Sequence, residues 1–188
     1  MARAIALDDG LAALTLRAMA ARAGVTPALV AHYHPAMDEL VAATFVGVVS
    51  AEVEDVRAIL SAEAGPTAQL AALIETLLNG SRDDVTVVWV EAWALGRRND
   101  ALAAAVREQM DAWRDVIASV IRTGVASGDF HADDPAAVAW QLLGMIDGLN
   151  AQALVRWGGV GDRGRLLARG VEGMLGLSRD ALAARGAH

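Results

Sequence analysis

Residues 15–40 read TLRAMAARAGVTPALVAHYHPAMDEL, and this stretch decides the fold. Counted from Leu16, it fits the helix-turn-helix, the motif that sets a short second helix into the DNA major groove. Met19 falls at the fourth position, Ala20 at the fifth, Ala23 at the eighth, Gly24 at the ninth, Val25 at the tenth, Val30 at the fifteenth and Tyr33 at the eighteenth. Ala20 is small where two helix backbones must approach. Gly24 takes the left-handed conformation that ends a helix without a Cβ penalty. Met19, Ala23, Val25 and Val30 are expected to form the apolar seam between the two helices.

The punctuation agrees with that count. Thr15 can cap the first helix through its hydroxyl, and Thr26 the second. Pro27 then occupies the first helical position, where its missing N–H costs nothing. Pro35 ends the second helix, because the residue before a proline disfavours helical geometry. The competing reading is an ordinary helical hairpin with a glycine turn.

Gly10, Thr15, Met19-Ala20, Ala23-Gly24-Val25-Thr26, His32-Tyr33 and Asp38-Glu39-Leu40 together resemble the DNA-binding domain of TetR-family transcriptional regulators. Three positions depart from that pattern. Ala31 stands where the family often has Tyr, His34 where it usually has Phe, and Met37 where it usually has Lys. Further on, Trp89, Trp93, Trp113, Asp134-Pro135 and Asp147-Gly148-Leu149 resemble the larger domain of the family's betaine-repressor-like subgroup. Only Met1 to Asp9 precede Gly10, where the family usually carries a helix of about four turns; such a segment is marginal as a helix by itself. Either the chain begins late or the first helix is short. Ile5 and Leu7 are expected to cover part of the seam, and a shortened helix is expected to leave this domain mobile.

The rest of the chain reads as helices, with no alternating strand pattern and no Asn-Gly hairpin. Helices are expected from Ala36 to about Ala62, Thr67 to Asn79, Val85 to Leu95, Asp100 to Ser127, Pro135 to Trp157 and Asp162 to Leu175. Gly65-Pro66, Asn79-Gly80, Gly96, Gly128-Asp129 and the run Gly158 to Gly161 separate them. The expected class is all-α: a helix-turn-helix DNA-binding domain over 1–44, a helical ligand-binding and dimerisation domain over 45–178, and a flexible tail over 179–188.

Composition narrows the function. The 188 residues include no Cys, so there is no disulfide and no thiol nucleophile or thiolate ligand. All 16 basic residues are Arg. Net charge is −7, and residues 1–45 set three arginines against four carboxylates, so a DNA-binding face must rely on a few well-placed groups. Modest affinity with a shallow salt dependence is expected. The apolar runs are broken well before the roughly 18 residues a membrane span needs. No secretory signal pattern opens the chain, so a cytoplasmic protein without membrane contact is expected. There is no nucleophile elbow, phosphate loop or metal-ligand spacing, so neither an enzyme nor a bound cofactor is expected. His32 and His34 are two apart and diverge by about 200° on a helix, which argues against a metal site.

The resemblance implies a homodimeric regulator, most simply a repressor, assembled through about residues 135–157 and 162–175. Its partners are double-stranded DNA, as a near-palindromic operator read about one helical turn apart, and a small-molecule effector. Effector binding would shift the helix that follows the DNA-binding domain and lower DNA affinity. Candidate DNA contacts are Thr15, Arg17, Thr26, Pro27, Ala28, His32 and Tyr33. Candidate effector contacts are Trp89, Trp93, Met110, Trp113, Trp140 and Met145, with Gln141 and Asn150 as polar anchors, since such pockets are mostly apolar with a few directed polar groups. Each tryptophan has core packing as its competing role, and a cationic effector would suit the rings by cation–π attraction. Asp147, in an apolar helix, needs a partner such as Arg156 or a group from a dimer mate. The alternative is a regulator-derived helical module that binds a small molecule or a protein and no longer binds DNA.

Overall fold

A computed structural model describes residues 1–157 and 163–183. These contain helices and turns only. They are α1 (Ala2–Asp9), a 3-10 turn (Leu11–Ala13), α2 (Leu16–Ala23), α3 (Pro27–Tyr33), α4 (Met37–Ser61), α5 (Pro66–Leu78), α6 (Asp83–Gly96), α7 (Asp100–Ser127), α8 (Pro135–Leu154) and α9 (Arg163–Met174). No described helix is long and apolar enough to cross a membrane.

Packing divides the chain into two units. The first holds residues 1–52 and 83–110, so α6 and the start of α7 pack with the N-terminal helices. One hydrophobic cluster in it joins Ile5, Leu14, Met19, Ala20 and Val30, with Leu16, Leu40 and Val41 against them. The two-turn α1 covers this seam through Ile5, which is 1% exposed, whereas Leu7 is half-buried. Burying an isoleucine contributes about 2–3 kcal/mol, a large share for a cluster of five buried residues. α1 does not stand alone: α6 packs against both α1 and the 3-10 turn. That tertiary cover makes a helix too short for independent stability persist.

The second unit holds residues 53–82 and the chain from 111 onward. α5, α8 and α9 pack on one another, burying Leu70, Leu73, Leu77, Leu142, Ile146, Leu167 and Val171. Asp134 caps α8, accepting the N–H groups of Ala136 and Ala137 at 3.0 Å each, and Pro135 follows in the first helical position.

A flexible segment is expected from residue 179; within it Leu182 is 2% exposed and its N–H donates to the Glu172 carboxylate at 2.9 Å. One buried leucine and one satisfied amide hold that turn. The glycine run expected to break the chain at 158–161, and residues 184–188, lie outside the described residues.

Candidate nucleic-acid interface and effector residues

The helix-turn-helix forms through local backbone chemistry. Thr15 Oγ1 accepts the N–H of Ala18 at 3.1 Å, and Thr26 Oγ1 accepts that of Leu29 at 3.3 Å. Each hydroxyl accepts with its oxygen and keeps its own proton to donate outward. Gly24 closes α2 at φ 66° and ψ 30°, and Val25 N–H bonds to Ala20 carbonyl oxygen at 3.0 Å, the geometry of a Schellman cap. α3 ends at Tyr33, with His34 before Pro35 as its cap.

Val30 is the buried member of α3. The seam is narrower than the pattern implied. Val25 is 39% exposed and Ala23 is exposed, because the left-handed turn at Gly24 directs the chain outward there. Thr15, Arg17, Thr26, Pro27, Ala28, His32 and Tyr33 are all exposed, and Tyr33 is 71% so. The rings of His32 and Tyr33 meet edge to face with centroids 5.4 Å apart. Leu29 joins this outer face at 44% exposure and was missed in the sequence. A long apolar side chain beside Ala28 is suited to thymine methyl groups in a major groove. Arg22, by contrast, is engaged by Asp8 and by Asp9 at 3.7 Å.

A second missed residue is Glu91 on α6. Its Oε2 accepts the N–H of Ala12 at 2.8 Å, and a Cβ on Gly10 would lie within 2.8 Å of the same carboxylate. The signal available in the sequence was one acid in the apolar run WVEAW. Asn99 ties another pair of helix starts: its side chain caps α7 at Leu102 N–H (2.9 Å) and donates to the Asp38 carbonyl oxygen (3.1 Å).

The candidate effector residues fall in both units. In the first, Trp89 lies between Phe45 (centroids 5.0 Å, 87°) and Trp93 (5.7 Å, 38°), forming an aromatic row with both tryptophans half-buried. Met110 is half-buried, and next to it in sequence the buried Gln109 accepts from Ser50 Oγ at 3.3 Å. In the second unit, Trp113 is 3% exposed and is a core residue. Met145 is half-buried beside Gly170. Trp140 and Gln141 do not face the interior; both are exposed, Trp140 by 69%. The α8 face that packs on α5 and α9 is taken by Ala139, Leu142, Leu143 and Ile146, which turns Trp140 outward. Asn150 is committed internally, donating to the Leu77 carbonyl oxygen at 3.0 Å and accepting from Arg163 Nη1 at 3.3 Å.

Burial pushes the Asp147 carboxyl up to about 6. Among the described residues no cation stands within ion-pair distance of it, and Arg156 is exposed.

Residues 1–44 match the family described as "Bacterial regulatory proteins, tetR family", and residues 66–176 match "BetI-type transcriptional repressor, C-terminal". The HTH-type transcriptional regulator BetI of Rhizobium meliloti (strain 1021) is 27% identical over 144 residues, covering 76% of this chain and 68% of that protein. Among solved structures, a transcriptional regulator from Saccharomonospora viridis in complex with choline aligns with a TM-score of 0.81 at 24% identity over 93% of each chain. A TetR-family regulator from a Rhodococcus species aligns at 0.76 and 20% identity, also over 93% of each. At these identities the structures speak for the fold.

Proposed function

Because this chain belongs to the TetR family of transcriptional regulators, with a BetI-type C-terminal domain, we propose that it is a cytoplasmic repressor that binds a near-palindromic operator as a homodimer and is released by a small-molecule effector. It is a regulator and not an enzyme. The observation that carries the reading is the pair of threonine-capped helices whose outer face bears Thr26, Pro27, Ala28, His32 and Tyr33 free of internal packing. Thr15 and Arg17 would address phosphates by a hydroxyl and a charge; the α3 residues would address base edges.

Dimerisation through α8 and α9 is supported by apolar groups left open there. Trp140, Val155, Trp157 and Leu166 are each more than 60% exposed. Gly144, Gly148 and Gly173 have nothing within 4 Å of an added Cβ, so a second copy's helices can approach closely. The aromatic row of Phe45, Trp89 and Trp93 is the favoured effector contact. Its ring faces suit a quaternary ammonium group, the chemistry of the choline found with the Saccharomonospora protein.

Fluorescence anisotropy on the gene's upstream DNA against a scrambled duplex, across a salt series, tests the reading. Saturable binding about a hundredfold tighter than to the scramble, two chains per site, is expected. A second reading, a module without DNA binding, is favoured by one contact: Asp8 and Asp9 occupy Arg22, one of three arginines in the first 45 residues. Absence of any preference at low salt would select it.

A further inference from the structure

The second unit holds a cleft of about 490 Å³ between α5 and the first turn of α9, closed on one side by the turn at Leu182. Ile74, Leu78, Ala168 and Leu182 give it apolar walls, and Asn79 and Arg163 line it with polar groups. Arg163 is the unusual member. It is 8% exposed, its Nε is buried without a hydrogen-bond partner among the described residues, and Nη1 donates to the neutral Asn150 amide oxygen at 3.3 Å. Among the described residues no carboxylate lies within ion-pair distance of it. A buried guanidinium without a counter-charge costs several kcal/mol. The cost is accepted most readily where a ligand supplies the missing charge.

We propose that this cleft binds a small aliphatic monocarboxylate. Its carboxylate would provide the counter-charge to Arg163, and its hydrocarbon body would lie on Ile74, Leu78 and Leu182. The first turn of α9, with Gly164 and Arg165 in the lining, adds the positive end of a helix to the same field. Glu75, also in the lining, opposes di- and trianions, which selects a single carboxylate over phosphate. The apolar walls select a chain of several carbons over acetate, through about 0.8 kcal/mol per buried methylene. The site is separate from the aromatic row in the other unit, so the chain would answer to two chemically different small molecules.

The test is calorimetric titration and thermal melting of the full chain with hexanoate, 1-hexanol and inorganic phosphate. Hexanoate is expected to bind saturably and raise Tm, and the alcohol and phosphate to do neither. Arg163→Met is expected to weaken hexanoate binding about tenfold or more, as a charged hydrogen bond is lost, while its ligand-free Tm stays level or rises. Gly164→Leu keeps the arginine but fills the cleft, where an added Cβ meets only Ile74 at 3.9 Å; it should fold and lose the response. No response of the original chain, an equal response to hexanol or phosphate, or an undiminished response in both variants would overturn the proposal. So would a lower ligand-free Tm for Arg163→Met, since the chain itself would then supply the counter-charge. None of these readouts involves DNA, so failure here leaves the operator reading standing.

Discussion

The Glu91 carboxylate accepts the backbone N–H of Ala12 at 2.8 Å and closes on the spot where any side chain at Gly10 would begin. One α6 side chain thereby fixes the turn that joins α1 to α2. Since α6 also carries Trp89 and Trp93, the aromatic row and the turn beneath the DNA-binding helices share one rigid element. Glu91→Ala should cost about 1–3 kcal/mol in chemical denaturation, because a charged hydrogen bond to backbone is lost. Gly10→Ala should cost more than about 1 kcal/mol, from its φ of 89° and the clash with Glu91. The double variant should recover the clash and not the backbone strain, which a double-mutant cycle measures.

The two threonine caps give a cleaner separation of stability from recognition. Thr15→Ala and Thr26→Ala should each lower stability by about 1 kcal/mol. Thr→Ser at either position retains the capping oxygen and the outward O–H, so stability and operator affinity should both survive. Anisotropy alongside urea melts reads the two effects.

Arg22 offers an electrostatic test. In Asp8→Asn/Asp9→Asn the guanidinium is released and the first 45 residues gain two positive units of net charge. DNA affinity should rise a few-fold at low salt, and the slope of log affinity against log salt should steepen by about 0.9 if Arg22 then meets one phosphate. Stability should change little, since both partners are exposed.

Asp147 sets a pH dependence. Its carboxyl is raised to about 6 by burial, so the fold is favoured when it is protonated. That contribution is complete below about pH 4, the unfolded value, and is lost as pH rises through about 6. Asp147→Asn should therefore stabilise the chain at pH 7, by up to about 3 kcal/mol, and change nothing at pH 4. Urea midpoints at the two pH values decide it; equal effects at both would disprove the assignment to this carboxyl.

The open apolar residues of α8 and α9 make a solution prediction. Trp140→Glu or Leu166→Glu should shift sedimentation from dimer to monomer and abolish operator binding while leaving the helical signal unchanged. A dimer that survives both changes would place the interface elsewhere.

What the sequence determined by itself is what the backbone settles within a few residues. The threonine caps, the left-handed turn at Gly24, the stop before Pro35 and the span Asp100–Ser127 are all local chemistry, and all were legible there. The outer face of α3 was legible too, except for Leu29, because periodicity reports which residues share a face and not which of two weakly apolar faces a partner will cover. Only tertiary packing decided that Ile5 is fully buried in the seam and Leu7 only half, that Trp113 is core while Trp140 is outside, that Asn150 is spent on Leu77 and Arg163, and that Leu182 is buried. Those outcomes depend on contacts between residues far apart in the chain, where burial of a side chain is fixed by the element that happens to lie against it. Arg163 shows the limit most clearly. In sequence it is one arginine among 16; only the fold leaves it buried without a counter-charge among the described residues.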